Sequence, residues 1–269
     1  MPLAVCATPI GNLNDVTLRV LRELAEAEIV LCEDTRHTRG LLARHGIEAR
    51  LLSYHEHNEA QRTAELLPRL DAGARVALVS DAGMPGISDP GARLVAAALD
   101  AGVPVTVLPG PSAVETALVA SGLSADRYLF VGFLPRAARA RENLWAELAA
   151  IAHPVVAFES PRRLPTALAS FAGALPERPV AVCRELTKRF EEVVRGTAAE
   201  VAARFLEPPK GEITLVIGAA ADPALEPRSG DAVAAVSELV AAGIARGRAA
   251  ELVARLTGVP RNELYRESL

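Results

Sequence analysis

The chain has 269 residues, half of them hydrophobic, which is enough for one large domain or two ordinary ones and excludes a small module stapled by disulfides or metal. With 29 basic against 33 acidic residues the formal charge is −4, which excludes a polycation that coats nucleic acid indiscriminately. Three cysteines, odd in number and far apart, lead us to expect a reduced, cytoplasmic chain. The N-terminus MPLAVCATPIG lacks the basic n-region of a signal peptide, and no apolar run is long enough to span a membrane.

Residues 3–7 form an apolar run predicted as a strand, closed by the turn TPIGN. Residues 17–27 carry Leu18, Leu21, Leu24 and Ala25 at a helical period; 28–32 is apolar again, and 35–45 is predicted as a helix ended by Gly46. Strands at 50–54, 75–80 and 103–108 alternate with helices at 59–70, 90–99 and 112–119. Strand followed by helix, five times over, predicts a parallel sheet covered on both faces. A second series follows, with strands at 128–131, 155–158, 180–184, 190–195 and 212–218 and helices at 137–151, 163–171 and 198–205. Strands 180–184 and 190–195 lie too close for a helical crossover, so they are expected to pair antiparallel and make this sheet mixed. Residues 219–230, with Pro223, Pro227 and Gly230, are predicted as a linker; AAELVARLTGVPRNELY beyond it has the shape helix, glycine turn, helix. The expected organisation is α/β, with a parallel-sheet N-terminal α/β domain (1–112), a mixed-sheet second α/β domain (113–220), and a linker with a small C-terminal helical appendage (221–269).

Ligands of open α/β sheets bind beyond the carboxyl ends of the strands. Three loops at such positions are rich in glycine and proline: TPIGN (8–12), SDAGMPGISDPG (80–91) and LPGPSA (108–113). Glycine lets backbone approach a ligand and proline holds a loop's shape, while Asp81 and Asp89 add acceptors. One such loop is an ordinary tight turn; three on one sheet edge point to a ligand. Neither GxxxxGK[ST] nor GxGxxG occurs, which excludes the usual phosphate and dinucleotide cradles. Carboxylates and bare backbone suit a ligand with amine and hydroxyl donors and little phosphate, such as the amino-acid nucleoside S-adenosylmethionine.

CEDTRHTRGLL (32–42) offers Asp34 or Thr35 as a helix N-cap and, on a functional reading, Asp34 and Arg36 as substrate contacts. His55 and His57 have a spacing some metals accept, but no third ligand lies near in sequence, so no metal is expected. Basic residues cluster as Arg136, Arg139 and Arg141, as Arg162 and Arg163, and as Arg184, Lys188 and Arg189. They form either solvated ion pairs or a local grip on a polyanion, since arginine matches phosphate as a fork. Of the 29 basic residues only Lys188 and Lys210 are lysine. A composition this biased to arginine leaves two options: chance, or positions that need lysine's size or chemistry.

The ordered string TPIGNLNDVTLR, CEDTRHTRGLL, SYHEHNE, LVSDAGMPGISDPG, LPGPSA, VGFLP, FESPRRL, RELTKRFEE and KGE resembles the ribosomal RNA small subunit methyltransferase I family of the tetrapyrrole methylase superfamily, over about residues 3–218, and the tail GVPRNELY is similar too. The resemblance implies two α/β domains with S-adenosyl-L-methionine in the cleft between them. It implies 2′-O-methylation of a cytidine in the decoding region of 16S ribosomal RNA, within the small ribosomal subunit or an assembly intermediate, and a homodimer. Carried onto this sequence, it implies cofactor contacts from Pro9, Ile10 and Gly11, from Asp81, Ala82, Gly83, Gly86 and Ser88, and from Pro111, Ser112 and Ala113. The second domain adds Phe158, Glu159, Ser160, Leu186, Thr187, Gly211, Glu212, Ile213 and Thr214. Departures are Met84 where the family usually has threonine, Arg162 where it has histidine, and Arg136 where lysine is common; Lys188 and Lys210 match.

A ribose hydroxyl needs a base for its proton or a cation beside the developing alkoxide. Lys188 is the expected cation, with Glu185 or Asp34 as the proton acceptor. Arg36, Arg136, Arg139, Arg141, Arg162, Arg163 and Arg189 are expected to hold RNA phosphates. Two rivals remain: a C-methyltransferase of a corrinoid or porphyrinoid, whose carboxylates would also welcome the arginines, and a non-catalytic RNA-binding protein that uses the helical tail.

Overall fold

The computed structural model describes residues 2–220 and 229–269. The chain forms two compact units, Met1–Ala219 and Ala220–Leu269. The larger unit carries two five-stranded sheets.

In the first sheet, β1 (Leu3–Cys6), β2 (Ile29–Cys32), β3 (Leu51–Ser53), β4 (Val76–Val79) and β5 (Val105–Leu108) pair in the order β3-β2-β4-β1-β5, all parallel. Strands β1, β2 and β4 are buried on both faces, which is why LAVC, IVLC and VALV are apolar without alternation. Successive side chains nevertheless point to opposite faces. Ala4, Cys6, Val30, Cys32, Ala77 and Val79 pack with α1 (Leu18–Glu26) and α2 (Thr35–Arg44) through Val20, Leu24, Leu41 and Leu42. Leu3, Val5, Ile29, Leu31, Val76 and Leu78 pack with α3 (Glu59–Asp71) and α4 (Ala92–Asp100) through Leu66, Leu70, Leu94 and Ala98. Hence α1 leaves β1 toward one face and α4 leaves β4 toward the other. That divergence opens a crevice between the carboxyl ends of these neighbouring strands.

The second sheet contains β6 (Leu129–Phe133), β7 (Val155–Glu159), β8 (Pro179–Arg184), β9 (Glu192–Thr197) and β10 (Ile213–Ile217), ordered β6-β7-β10-β8-β9. Only β6 and β7 run parallel, and β8 and β9 pair antiparallel, so the sheet is mixed as its sequence spacing requires. One face packs on α6 (Ala138–Leu148), α7 (Leu164–Ala174) and α8 (Ala198–Arg204) through Trp145, Leu148, Leu168, Phe171 and Val201. The other face packs on α5 (Ala113–Ser121), and Ile10 of the TPIGN loop and Leu186 join that core. Strand β6 runs further than the predicted 128–131. A bulge between Phe130 and Phe133, with Gly132 at φ +67°, lets three residues oppose two on β7 and sets Phe133 beside Phe158.

The smaller unit holds α9 (Ser229–Ala241), α10 (Arg246–Thr257) and α11 (Arg261–Glu267) around Val236, Ala250, Val253 and Leu264. Gly258, left-handed at φ +75°, ends α10 and forms the turn expected from the glycine in LTGVP. Pro223 and Pro227 of the expected linker lie outside the described residues, but Gly230 belongs to α9 rather than to a linker; Asp231 in the first turn suits the positive end of the helix. Among the described residues no helix is long and apolar enough to cross a membrane.

Candidate active site

The three glycine-proline loops interlock at the crevice. Thr8 N–H donates to the Gly83 carbonyl at 2.9 Å and Gly83 N–H returns the bond at 3.1 Å, while Ala7 N–H donates to Leu108 O at 3.2 Å. The Thr8 hydroxyl reaches Ser80 O at 3.0 Å. From the second sheet, the loops after β8 and before β10 face them. Among the described residues, three that are not glycine have positive φ: Ser88 (+61°), Glu185 (+53°) and Thr187 (+64°), and all three lie in these loops. Backbone held in this region costs energy and marks places where the surroundings over-determine the chain, typically ligand sites.

Between the loops lies a cavity of about 420 Å³, a small-molecule size. Of the residues implied as cofactor contacts, Pro9, Gly11, Gly83, Gly86, Pro111 and Thr187 do not line it, and all the others do. Two of the six tie the loops together: Gly83 bridges to Thr8, and Thr187 Oγ1 accepts from Asn12 N–H at 3.0 Å. Val114 and Cys183 line the cavity from outside any quoted motif; Ile87, Phe133 and Pro161 line it from within motifs but were not singled out as contacts, and Met84 and Asp89 line it as well. For Phe133 the signal was the preceding glycine, which permits the bulge. The Cys183 thiol is pushed up to about 12 by burial, stays protonated, and is no nucleophile.

Glu159 is the strongest sign of a ligand. Its side chain is 0% exposed, and Oε1 accepts from Ser160 N–H at 2.6 Å and pairs with Arg163 at 2.5 Å. Oε2 is buried without a partner at the cavity wall. A buried carboxylate oxygen without a donor is costly, and a ligand amine or hydroxyl would satisfy it. An apolar chamber with one free carboxylate oxygen and the Asp81 and Asp89 carboxyls therefore fits S-adenosylmethionine, which carries an ammonium, an amine and hydroxyls.

A second, open pocket of about 500 Å³ lies at the carboxyl ends of β2 and β3, lined by Glu33, Asp34, Arg36, Ser53, His55 and His57 with others. Asp81 lines both spaces, and its Oδ1 accepts from Asp34 N–H at 3.1 Å. Asp34 is the N-cap of α2, accepting Arg36 N–H at 2.8 Å, and both its oxygens engage the Arg36 guanidinium at 3.1 and 2.7 Å. The Arg36 side chain and backbone hold the Asp34 carboxyl well below the usual range, which makes it a poor proton acceptor and disfavours that expected role. The His55 and His57 rings lie 5.9 Å apart, and among the described residues no group of three His, Cys, Asp or Glu could hold a metal ion.

Lys188 Nζ sits between Glu185 Oε1 at 3.0 Å and Glu212 Oε2 at 2.7 Å. Burial alone would lower the ammonium's pKa, but the hydrogen bonds it donates to Glu212 and Glu185 outweigh this and raise it. Burial raises the Glu185 carboxyl, and Lys188 with the Glu212 N–H reverses this to a net lowering. Lysine therefore stays charged and Glu185 stays ionised, so the trio clamps the ELTK loop to the KGE loop. Lys210 is exposed; its carbonyl accepts from Arg184 Nη1 at 3.1 Å.

The arginines divide. Arg36, Arg136, Arg139, Arg162 and Arg189 are exposed. Arg141, expected on RNA, is buried in α6, and its guanidinium turns to Pro135 O at 3.5 Å; a helix period places it on the inner face, so it cannot grip a phosphate. Arg163 is committed to Glu159.

Residues 2–202 match the family model of tetrapyrrole (corrin/porphyrin) methylases. The chain is 46% identical to ribosomal RNA small subunit methyltransferase I of Mesorhizobium japonicum, across 99% of this chain and 91% of that one. It is 47% identical to the protein of the same name from Mycobacterium bovis, across 98% and 93%. In fold it is similar to the uroporphyrin-III C-methyltransferase of Thermus thermophilus complexed with S-adenosylhomocysteine, with a TM-score of 0.56, 20% identity, and coverage of 80% and 96%. The fold is thus shared with this class, and the chain is a methyltransferase of the tetrapyrrole methylase family, in its ribosomal RNA small subunit methyltransferase I branch.

Proposed function

We propose that the chain transfers the methyl group of S-adenosylmethionine to the 2′-hydroxyl of a cytidine in the decoding region of 16S ribosomal RNA. The observation that carries this is the pair of adjoining spaces that share Asp81: a largely apolar cavity beside a more open, polar pocket. A donor held in the first meets an acceptor presented at the second. Bound in the cavity, S-adenosylmethionine supplies an electrophilic methyl carbon.

The chain's own residues do the rest. Met84, Ile87, Phe133 and Phe158 exclude water from the donor cavity, and Glu159 Oε2 takes a donor hydrogen from the ligand. The Lys188–Glu185–Glu212 clamp positions the wall formed by Leu186 and Gly211. Arg36 stands at the rim of the open pocket, and with Arg136, Arg139, Arg162 and Arg189 it holds phosphates. Replacing Arg36 or Arg139 by alanine is expected to weaken RNA binding about tenfold and to lower the slope of log affinity against log salt by about 1 per lost phosphate contact. An unchanged slope in a filter-binding titration would remove that role. We place the reaction in the cytoplasm and expect a homodimer, so sedimentation would return twice the chain mass.

Radiolabelled methyl transfer to small-subunit RNA and, in parallel, to uroporphyrinogen tests the proposal. RNA alone should be labelled; label in the porphyrinoid alone would put the chain with its C-methylating relatives, and label in neither would favour a non-catalytic RNA-binding role.

A further inference from the structure

We propose that Phe190 is a stacking platform for an unpaired base beside the target cytidine, with Lys210 as a phosphate contact next to it; this inference rests on the RNA methylation proposed above. Two consecutive turns build the loop between β8 and β9. In the first, Lys188 N–H donates to Glu185 O at 3.0 Å, and Leu186 at its corner is turned inward onto the donor cavity. In the second, Glu191 N–H donates to Lys188 O at 3.1 Å, and Arg189 and Phe190 at its corners are both exposed. A single exposed apolar side chain is ordinary. Phe190, however, is 65% exposed and carries the Arg189 guanidinium over its ring, 5.4 Å from the centre. That is a cation–π arrangement. With one face so covered, the exposure belongs to the rest of the ring.

The outward pair stands on a fixed base. The Glu191 carboxylate accepts from Thr187 N–H at 2.6 Å, and Thr187 Oγ1 accepts from Asn12 N–H at 3.0 Å. Arg184 joins the end of this loop to the loop before β10: its Nε donates to Glu192 Oε2 at 3.0 Å and its Nη1 to Lys210 O at 3.1 Å. Lys210 is held there by its backbone, and the residue is exposed. Its neighbour Gly211 lines the donor cavity, as Leu186 does from the other loop. The same two loops therefore wall the donor with their inner residues and present Phe190, Arg189 and Lys210 outside it.

Charge selects the occupant. Every acid within residues 185–192 and 210–212 is taken: Glu185 and Glu212 by Lys188, Glu192 by Arg184, and Glu191 by Thr187 N–H. Arg189 and Lys210, by contrast, form no ion pair among the described residues. The surface thus offers an aromatic ring with two uncommitted cations. An unpaired nucleotide has the matching parts, a π face and a phosphate. A base stacked inside a helix has no free face to offer. Stacking on an aromatic ring accepts any base, so the platform holds the strand and does not read its sequence.

The test is filter binding of small-subunit RNA across a salt series, with S-adenosylhomocysteine affinity by calorimetry and chain mass by sedimentation on the same proteins. Phe190→Ala should weaken RNA binding about 5- to 100-fold and leave the salt slope unchanged, because a ring displaces no counterion. Lys210→Ala should lower that slope by about 1. S-adenosylhomocysteine affinity should stay within about threefold of wild type in both. Phe190→Trp should rescue the RNA affinity, and its fluorescence should be quenched as RNA is added, against the steady background of the buried Trp145. Wild-type RNA affinity in Phe190→Ala, or ligand affinity lost in step with RNA affinity, overturns the platform. A lower chain mass in Phe190→Ala overturns it too, since the ring would then be a contact between copies. An unaltered slope in Lys210→Ala overturns the phosphate contact. If Phe190→Ala does not fold, Phe190→Trp decides, and RNA binding with unchanged fluorescence overturns the platform. A wild-type chain that neither binds nor labels RNA overturns the underlying proposal as well, whereas RNA labelled by the wild type and bound equally by Phe190→Ala overturns the platform alone.

Discussion

Arg178→Met lowers the stability of the larger unit by about 3 kcal/mol and its melting temperature by about 6–12 °C. Arg178 is only 7% exposed, yet among the described residues no carboxylate pairs with it. Its guanidinium is spent on backbone: Nε donates to Gly218 O at 2.7 Å, Nη1 to Ala149 O at 3.3 Å, and Nη2 to Leu148 O at 3.2 Å and Ile151 O at 2.9 Å. Three of those carbonyls lie at or just beyond the end of α6, where a helix leaves its last acceptors unpaired and its dipole is negative. The fourth follows β10. One side chain thus caps a helix and fastens it to the sheet. Burial lowers the arginine's pKa, but a guanidinium remains charged, so the cap persists at all ordinary pH. Methionine fills much of the volume and strands four acceptors. Lysine is expected to rescue less than half of the loss, because a point donor cannot reach both elements in a fork. Thermal unfolding followed by circular dichroism checks this; a fall below about 2 °C for Arg178→Met would mean water satisfies those carbonyls.

Gly11→Ala is expected to weaken S-adenosylhomocysteine binding about 10- to 100-fold. A Cβ there would lie 2.5 Å from Lys188 Cγ, 2.7 Å from Thr187 Oγ1 and 2.8 Å from Leu186 O. The lysine methylene can rotate away only by disturbing its bonds to Glu185 and Glu212, and the Leu186 carbonyl is backbone within the strained 185–187 segment. The loops must therefore separate, which breaks the Asn12 N–H bond to Thr187 Oγ1 and moves Ile10 and Leu186 on the cavity wall. Overpacking of this kind costs about 1–3 kcal/mol, which sets the range given. Gly40→Ala in α2 is the control, since a Cβ there meets nothing within 4 Å. Calorimetric titration should separate the two; equal affinities would show that the loops part without consequence for the ligand.

The first sheet was legible because its causes are local. LAVC, IVLC and VALV are apolar runs of strand length between loops of glycine and proline, and Asp34 announces the helix that it caps. The three loops that meet at the crevice were legible for the same reason. What was hidden depends on partners distant in sequence. Lys188 finds Glu212 24 positions away, and Gly11 meets a loop about 175 positions away through its neighbour Asn12. An arginine-rich composition also conceals function: Arg141 and Arg178 look like their exposed counterparts, and only tertiary packing turns them inward. Phe133 escaped notice because a bulge shifts the two-residue alternation of β6, and the shift comes from Gly132 rather than from any apolar pattern.

The central claim is tested most directly by digesting small-subunit RNA to nucleosides after incubation with the purified chain and S-adenosylmethionine, and identifying the product by mass spectrometry. The expected product is 2′-O-methylcytidine, one per RNA. Methyl groups on a nucleobase, or none on RNA while uroporphyrinogen is methylated, would contradict it.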